Sequence, residues 1–175
     1  MSVLDTLKEL IGNQLQAALC TLDSCIDKCP EAAWDAPVAN LAFCQVAFHT
    51  LFFADFYLGR NEHEFREQPF HHDNPQFFRD YEELENRRQV LLYDRVTMKA
   101  YLEHCRKKGT ASLAEETVNS LSARCGFSRR EFSRAELYVY NIRHIQHHAA
   151  QLALRLRLDY QEDTPWFGSG WRTLR

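Results

Sequence analysis

The stretch Tyr140-Asn141-Ile142-Arg143-His144-Ile145-Gln146-His147-His148-Ala149-Ala150-Gln151-Leu152 decides how the chain is read. Ile142, Ile145, Leu152, Leu154 and Leu156 recur at helical intervals with no breaker among them, which predicts a helix over 134–158. Residues four apart on a helix share a face, about 5–6 Å apart at Cβ. His144 and His148 can therefore reach one metal ion together. His147 lies about 100° round the helix from His148 and reads as surface.

Working outward, three further long helices appear. Leu4, Leu7, Ile11, Leu15, Leu19, Leu22 and Ile26 form an amphipathic stripe over 2–29, with Ser2 as N-cap and Pro30 as stop. Residues 30–40 connect it to a helix over 41–58 that is apolar nearly all round, with Asn40 as cap and Gly59 as stop. Residues 60–79 read as a long polar loop, and 80–93 as a charged, partly helical stretch. Thr97 is expected to cap a helix over 97–123 whose middle Gly109 weakens. No segment alternates with period two. The fold class expected is all-α: one domain over 1–175, a four-helix bundle with 60–93 as a charged insertion. The aromatic tail 159–175, with Trp166, Phe167 and Trp171, is expected to fold back on the bundle or on a partner chain.

A length of 175 residues with 45% hydrophobic content suits a single domain with a full core. The net charge of -3 offers no basic face for nucleic acid. Neither a signal-peptide pattern at the start nor a long uncharged apolar run is present, so a cytoplasmic place is expected, without membrane contact. The six cysteines form no Cys-x-x-Cys pair and are expected to be reduced, small apolar residues.

His49 interrupts the apolar 41–58 helix. Taken singly, each of His49, His144 and His148 is equally readable as a core or surface histidine satisfied by hydrogen bonds. Together they form the ligand set of an open, catalytic-type metal site. Three imidazoles converging in a dry interior would lose their protons or repel one another, and a divalent cation resolves that conflict. Asp55 and Gln45 are candidates to orient His49, and Tyr140 and Asn141 to line the pocket. His63, His71, His72 and His104 sit in polar surroundings and read as solvated. A zinc-protease motif is excluded because Ile145 stands where its Glu belongs. A di-iron motif is excluded because no Glu precedes any histidine by three.

His144-Ile145-Gln146-His147-His148-Ala149-Ala150-Gln151-Leu152 resembles the His-x-x-x-His-x-x-Gln-apolar signature of the DinB-like superfamily. Phe48-His49-Thr50-Leu51 through Ala54-Asp55 resembles that family's earlier histidine. The resemblance spans nearly the whole chain, and it departs at Ala150, where the family often has Gly. It implies an up-down-down-up bundle, a metal held by His49, His144 and His148, zinc or nickel as the ion, and a homodimer. It also implies a thiol-dependent activity, S-transfer from bacillithiol, glutathione or a similar small thiol, since a bound metal deprotonates a coordinating thiol. A hydrolase using metal-bound hydroxide and a non-catalytic, metal-stapled stress-response or binding protein stand as alternatives.

Overall fold

The computed structural model describes residues 2–172. Among the described residues the chain is mostly helical, consistent with an all-α class, with one minimal hairpin. Helix α1 spans Val3–Lys28, and the short α2 spans Glu31–Trp34. Ser2 caps α1 reciprocally with Asp5, its hydroxyl accepting from the Asp5 N–H at 3.1 Å. Strands β1 (Pro37–Val38) and β2 (Leu41–Ala42) then pair antiparallel. Asn40 is spent in their two-residue turn, so it does not cap the next helix. Instead α3 (Phe43–Leu58) starts two residues later than expected, with the Ala42 N–H donating to Gln45 Oε1 at 2.9 Å.

The 60–79 segment corrects the expectation of a polar loop, while 80–93 is partly helical as expected. The 60–93 stretch folds as α4 (Glu62–Arg66), α5 (Pro69–Asp73), α6 (Pro75–Phe78) and a 3-10 turn at Glu82–Leu84. Phe65, Phe78, Tyr81 and Tyr93 from this segment are buried in the main core. Its charges conceal an aromatic lattice: Phe48 stacks on Tyr93 at 3.7 Å between centroids, and His71 stacks on Phe78 at 3.8 Å.

Helix α7 (Arg95–Glu115) is capped by Asp94, which accepts from the Thr97 N–H at 2.7 Å. Thr97 is thus the third residue of the helix, not its cap. The helix also ends early, and α8 (Val118–Ser122) restarts the chain under a Thr117 cap. The break falls where Glu116 turns inward to a buried pair with Arg134, Oε1 to Nε at 2.9 Å. Gly109 is a contact point rather than a weakness. A Cβ there would lie 2.7 Å from Leu15 Cδ2, so its absence lets α1 and α7 approach.

The last helix, α9, spans Arg134–Tyr160. Side-chain contacts fix the helix directions. Gln16 reaches Arg106 and Lys99 reaches Asp27, so α1 and α7 are antiparallel. Cys105 meets Leu51 and Ser112 meets Leu58, so α3 and α7 are parallel. Asn141 binds the Ala54 carbonyl and His148 lies beside His49, so α3 and α9 are antiparallel. Beyond α9 the chain folds back: Phe167 packs on Ala17 and Cys20, and Arg106 lies over the Trp171 ring at 4.9 Å. Trp166 is 91% exposed; residues 173–175 of the tail lie outside the described ones. Among the described residues no helix is long and apolar enough to cross a membrane. All six cysteines are free and buried.

Candidate metal centre

Helix α3 presents His49, Phe53 and Tyr57 along one face, each one turn from the next. Helix α9 runs against it and presents Tyr140, His144 and His148. At the crossing, one nitrogen from each of His49, His144 and His148 comes within 4.8 Å of the others. The ring centroids are 5.5 Å (His49–His144), 4.8 Å (His49–His148) and 4.7 Å (His144–His148) apart. Among the described residues, no fourth His, Cys, Asp or Glu joins the cluster.

Two of the rings are oriented from behind. His49 Nδ1 donates to Glu83 Oε2 at 2.7 Å, and the Glu83 side chain is 1% exposed. His148 Nδ1 donates to Gln151 Oε1 at 2.9 Å. Each acceptor fixes the proton on Nδ1 and leaves the Nε2 lone pair free, the pattern of outer partners behind metal-bound histidine. His144 Nδ1 is buried with no hydrogen-bond partner. A buried nitrogen left without a partner is costly, and a cation would satisfy it. The donor set suits an ion of the zinc or nickel kind.

The electrostatics agree with lone pairs rather than protons. Burial, reinforced by His148 and His49, pushes His144 down to about 3. Burial also takes His148 down to about 4, against the opposing Gln151 hydrogen bond. Phe53 walls the cluster, 4.9 Å from His49 and 5.7 Å from His144 between centroids. A groove of about 400 Å³ lined by Tyr140, Arg143, His144, Gln146 and His147 borders the site at His144. A larger depression, about 940 Å³, lies elsewhere, between the hairpin and Arg88–Leu92.

Several expected roles are reassigned. Gln45 does not orient His49; its amide nitrogen donates to the carbonyls of Gln89 and Leu91 at 3.2 and 3.0 Å. Asp55 is six residues from His49, about 240° round the helix, and faces α7 instead. There its carboxylate accepts from Gln68 (3.0 Å), His71 (2.9 Å), Tyr101 (3.1 Å), His104 (3.3 Å) and Lys108. His71 and His104 are therefore not solvated: His71 is 2% exposed and both serve Asp55. His63, His72 and His147 are exposed as expected. Tyr140 lines the groove, whereas Asn141 is fully buried and holds the Ala54 carbonyl at 2.9 Å.

Glu83 is the residue that sequence reasoning missed. It sits in a charged run without periodicity, 34 residues from His49, and nothing local marks it. The one available signal was indirect: a histidine in an apolar helix needs a partner, and neither Gln45 nor Asp55 is free to serve. Comparisons with protein-family models, curated proteins and solved structures found no match to this chain.

Proposed function

We propose that the chain is a metal-dependent enzyme of the DinB-like four-helix-bundle type, arranged up-down-down-up. His49, His144 and His148 hold one zinc or nickel ion, and a small thiol serves as cosubstrate for S-transfer to an electrophilic small molecule. The observation that carries this is the convergence of three imidazoles, with no fourth protein ligand among the described residues, where burial favours the unprotonated form of His144 and His148. A closed structural site would have four, and three leave a position for a reactant. The directions of α1, α3, α7 and α9 support the bundle type, and the His144–Gln151 motif supports the family. When bound, such an ion removes the proton of a coordinating thiol at neutral pH. The chain's own residues then have defined tasks. Glu83 and Gln151 hold two rings with Nε2 inward, and Phe53 excludes water from one side. No carboxylate in the cluster is required as a base. A cytoplasmic location and a homodimer belong to the same reading; free thiols support the first and the exposed Trp166 the second.

Protein purified without chelator, loaded with zinc or nickel and desalted, is expected to retain one ion per chain, and His148→Ala to lose it. The cobalt form is expected to gain a thiolate-to-metal charge-transfer band on addition of glutathione or bacillithiol, and His144→Ala to show none. Retention of no ion refutes the centre. A bound ion with no thiol band, together with ester or amide hydrolysis, refutes the transferase in favour of a hydrolase.

A further inference from the structure

Above the histidines, the seam between α3 and α9 ends at an arginine whose charge no carboxylate balances. Arg130, in the loop before α9, directs Nη2 at two phenols, Tyr57 Oη at 3.1 Å and Tyr140 Oη at 3.0 Å. Its Cζ lies 4.9 Å from the Tyr140 ring centroid and 5.8 Å from that of Tyr57. Among the described residues no carboxylate lies within ion-pair distance of it, and its Nε and Nη1 have no hydrogen-bond acceptor. Arg134, four residues on, shows what a structural arginine looks like in this protein. Its guanidinium meets Glu116, the carbonyls of Tyr57, Leu58 and Gly59, and the Tyr138 hydroxyl, filling every direction. Arg130 fills only the two directions of Nη2.

The two phenols belong to the same faces as the metal ligands. Tyr140 is one turn before His144, about 6 Å along the helix, and Tyr57 is two turns after His49, about 12 Å. Their rings meet edge to face at 5.2 Å, with Phe53 between them and His49. The seam thus reads, in order, guanidinium and phenol hydroxyls, an aromatic floor, and the three imidazoles. We propose that this seam binds a small carboxylate: Arg130, Tyr57 and Tyr140 take its acid end, and Phe53 supports an apolar body that points at the histidines. Arginine's planar fork matches the two oxygens of a carboxylate, and a partly buried guanidinium interacts more strongly than one in bulk water. The groove of about 400 Å³ that runs past Tyr140 and His144 has room for a body the size of one phenyl ring. This assignment rests on the tri-histidine reading for what lies at the far end, but its acid subsite stands on Arg130, Tyr57 and Tyr140 without the metal.

Calorimetric titration of zinc-loaded protein with benzoate, and separately with benzyl alcohol, tests it. Benzoate is expected to bind at least about 10-fold tighter, the least that a charge-assisted hydrogen bond contributes. Arg130→Gln is expected to erase that preference. Tyr140→Phe, which keeps the ring and removes one donor, is expected to weaken benzoate and leave benzyl alcohol unchanged; it decides the matter if Arg130→Gln does not fold. Zinc content, measured on every sample, separates the two readings. Full zinc with equal or absent binding of the two probes overturns the acid subsite alone. No retained zinc with an Arg130-dependent benzoate preference overturns the metal centre and upholds the subsite.

Discussion

Asp55→Asn is the sharpest test of how the interior is organised. The wild-type carboxylate is fully buried and accepts from five groups, one of them the Lys108 ammonium. Burial alone would raise its pKa, but hydrogen bonds from His104 and His71 and the charge of Lys108 outweigh that and hold it well below the usual carboxylate range. An asparagine keeps one acceptor and introduces an NH2. Turned one way, that NH2 faces Lys108 and His104; turned the other, it faces Gln68, His71 and Tyr101. Both sides are lined with donors. His71 can relieve part of the conflict by moving its proton to Nδ1 and donating to Tyr81, whose hydroxyl is 3.0 Å away. The Lys108 charge has no such remedy. Breaking a buried ion pair from one side costs about 3–5 kcal/mol. The Lys108 side chain is 19% exposed and can lean toward water, so the lower end, about 3 kcal/mol, is expected. For a chain of this size that lowers Tm by about 6–12 °C. Urea unfolding followed by far-UV circular dichroism would show a lower midpoint at an unchanged slope. A loss below about 1 kcal/mol would refute the hub. So would a fall in metal affinity without a fall in stability, which would return Asp55 to the role of orienting His49.

Glu83→Gln is expected to weaken zinc binding by about 10–100-fold in competition with a chromogenic chelator while leaving the fold intact; unchanged affinity would remove Glu83 from behind His49. Acid should destabilise the protein through Asp55 and Glu116. Glu116 is held low by Ser120, Arg134 and Tyr138 against the raising effect of burial. Both native values lie below the unfolded ones, about 3.9 for Asp and 4.3 for Glu, so their stabilisation is complete above roughly pH 5 and lost as pH falls. Asp55→Asn should flatten that slope, and an equally steep one would contradict the assignment. Gly109→Ala gains about 1 kcal/mol of helix propensity but loses about 1–3 kcal/mol by overpacking on Leu15, so a net loss is expected, and a stabilised variant would show that α1 and α7 are not in tight contact there.

The four long helices and the pairing of His144 with His148 were legible because both rest on local periodicity, whereas His49 joined the pair only through the expected bundle and the family resemblance. The stripe Leu4–Ile26 and the spacing of His144 and His148 need only a helix to acquire meaning. Boundaries were less legible wherever side chains competed for the same backbone groups. Asn40 reads as a cap but is consumed by a hairpin. Thr97 reads as a cap but Asp94, three residues earlier, caps it. Glu116 continues the helical pattern but is drawn out by Arg134. The hardest residues were those in 60–93, where buried and exposed positions follow no period. Phe65, His71, Phe78 and Glu83 face inward because short helices turn repeatedly, and composition averages them with the charges around them.

That segment explains how α3 can be apolar all round and still carry His49 and Asp55. A buried polar group without a partner costs about 2–7 kcal/mol on transfer scales, so fully buried Asp55 needs partners, and half-buried His49 gains from one. Helix α7 supplies Tyr101, His104 and Lys108 to Asp55, yet Gln68 and His71 come from the 60–79 stretch and Glu83 comes from the 3-10 turn. Tyr81 joins the two ends. Its hydroxyl bonds His71 Nδ1, and its backbone, at φ 50°, begins the turn that aims Glu83 at His49. A left-handed tyrosine costs about 1–3 kcal/mol and persists only where its surroundings hold it; here burial of the ring among Phe52, Phe65 and Phe78 does so. Asp55, His71, Tyr81, Glu83 and His49 thus form one continuous path from the α3–α7 seam to the α3–α9 seam. A surface insertion could be removed at little cost. This one cannot, because its removal would take Gln68 and His71 from Asp55 and leave the ring of His49 without the acceptor that sets its tautomer.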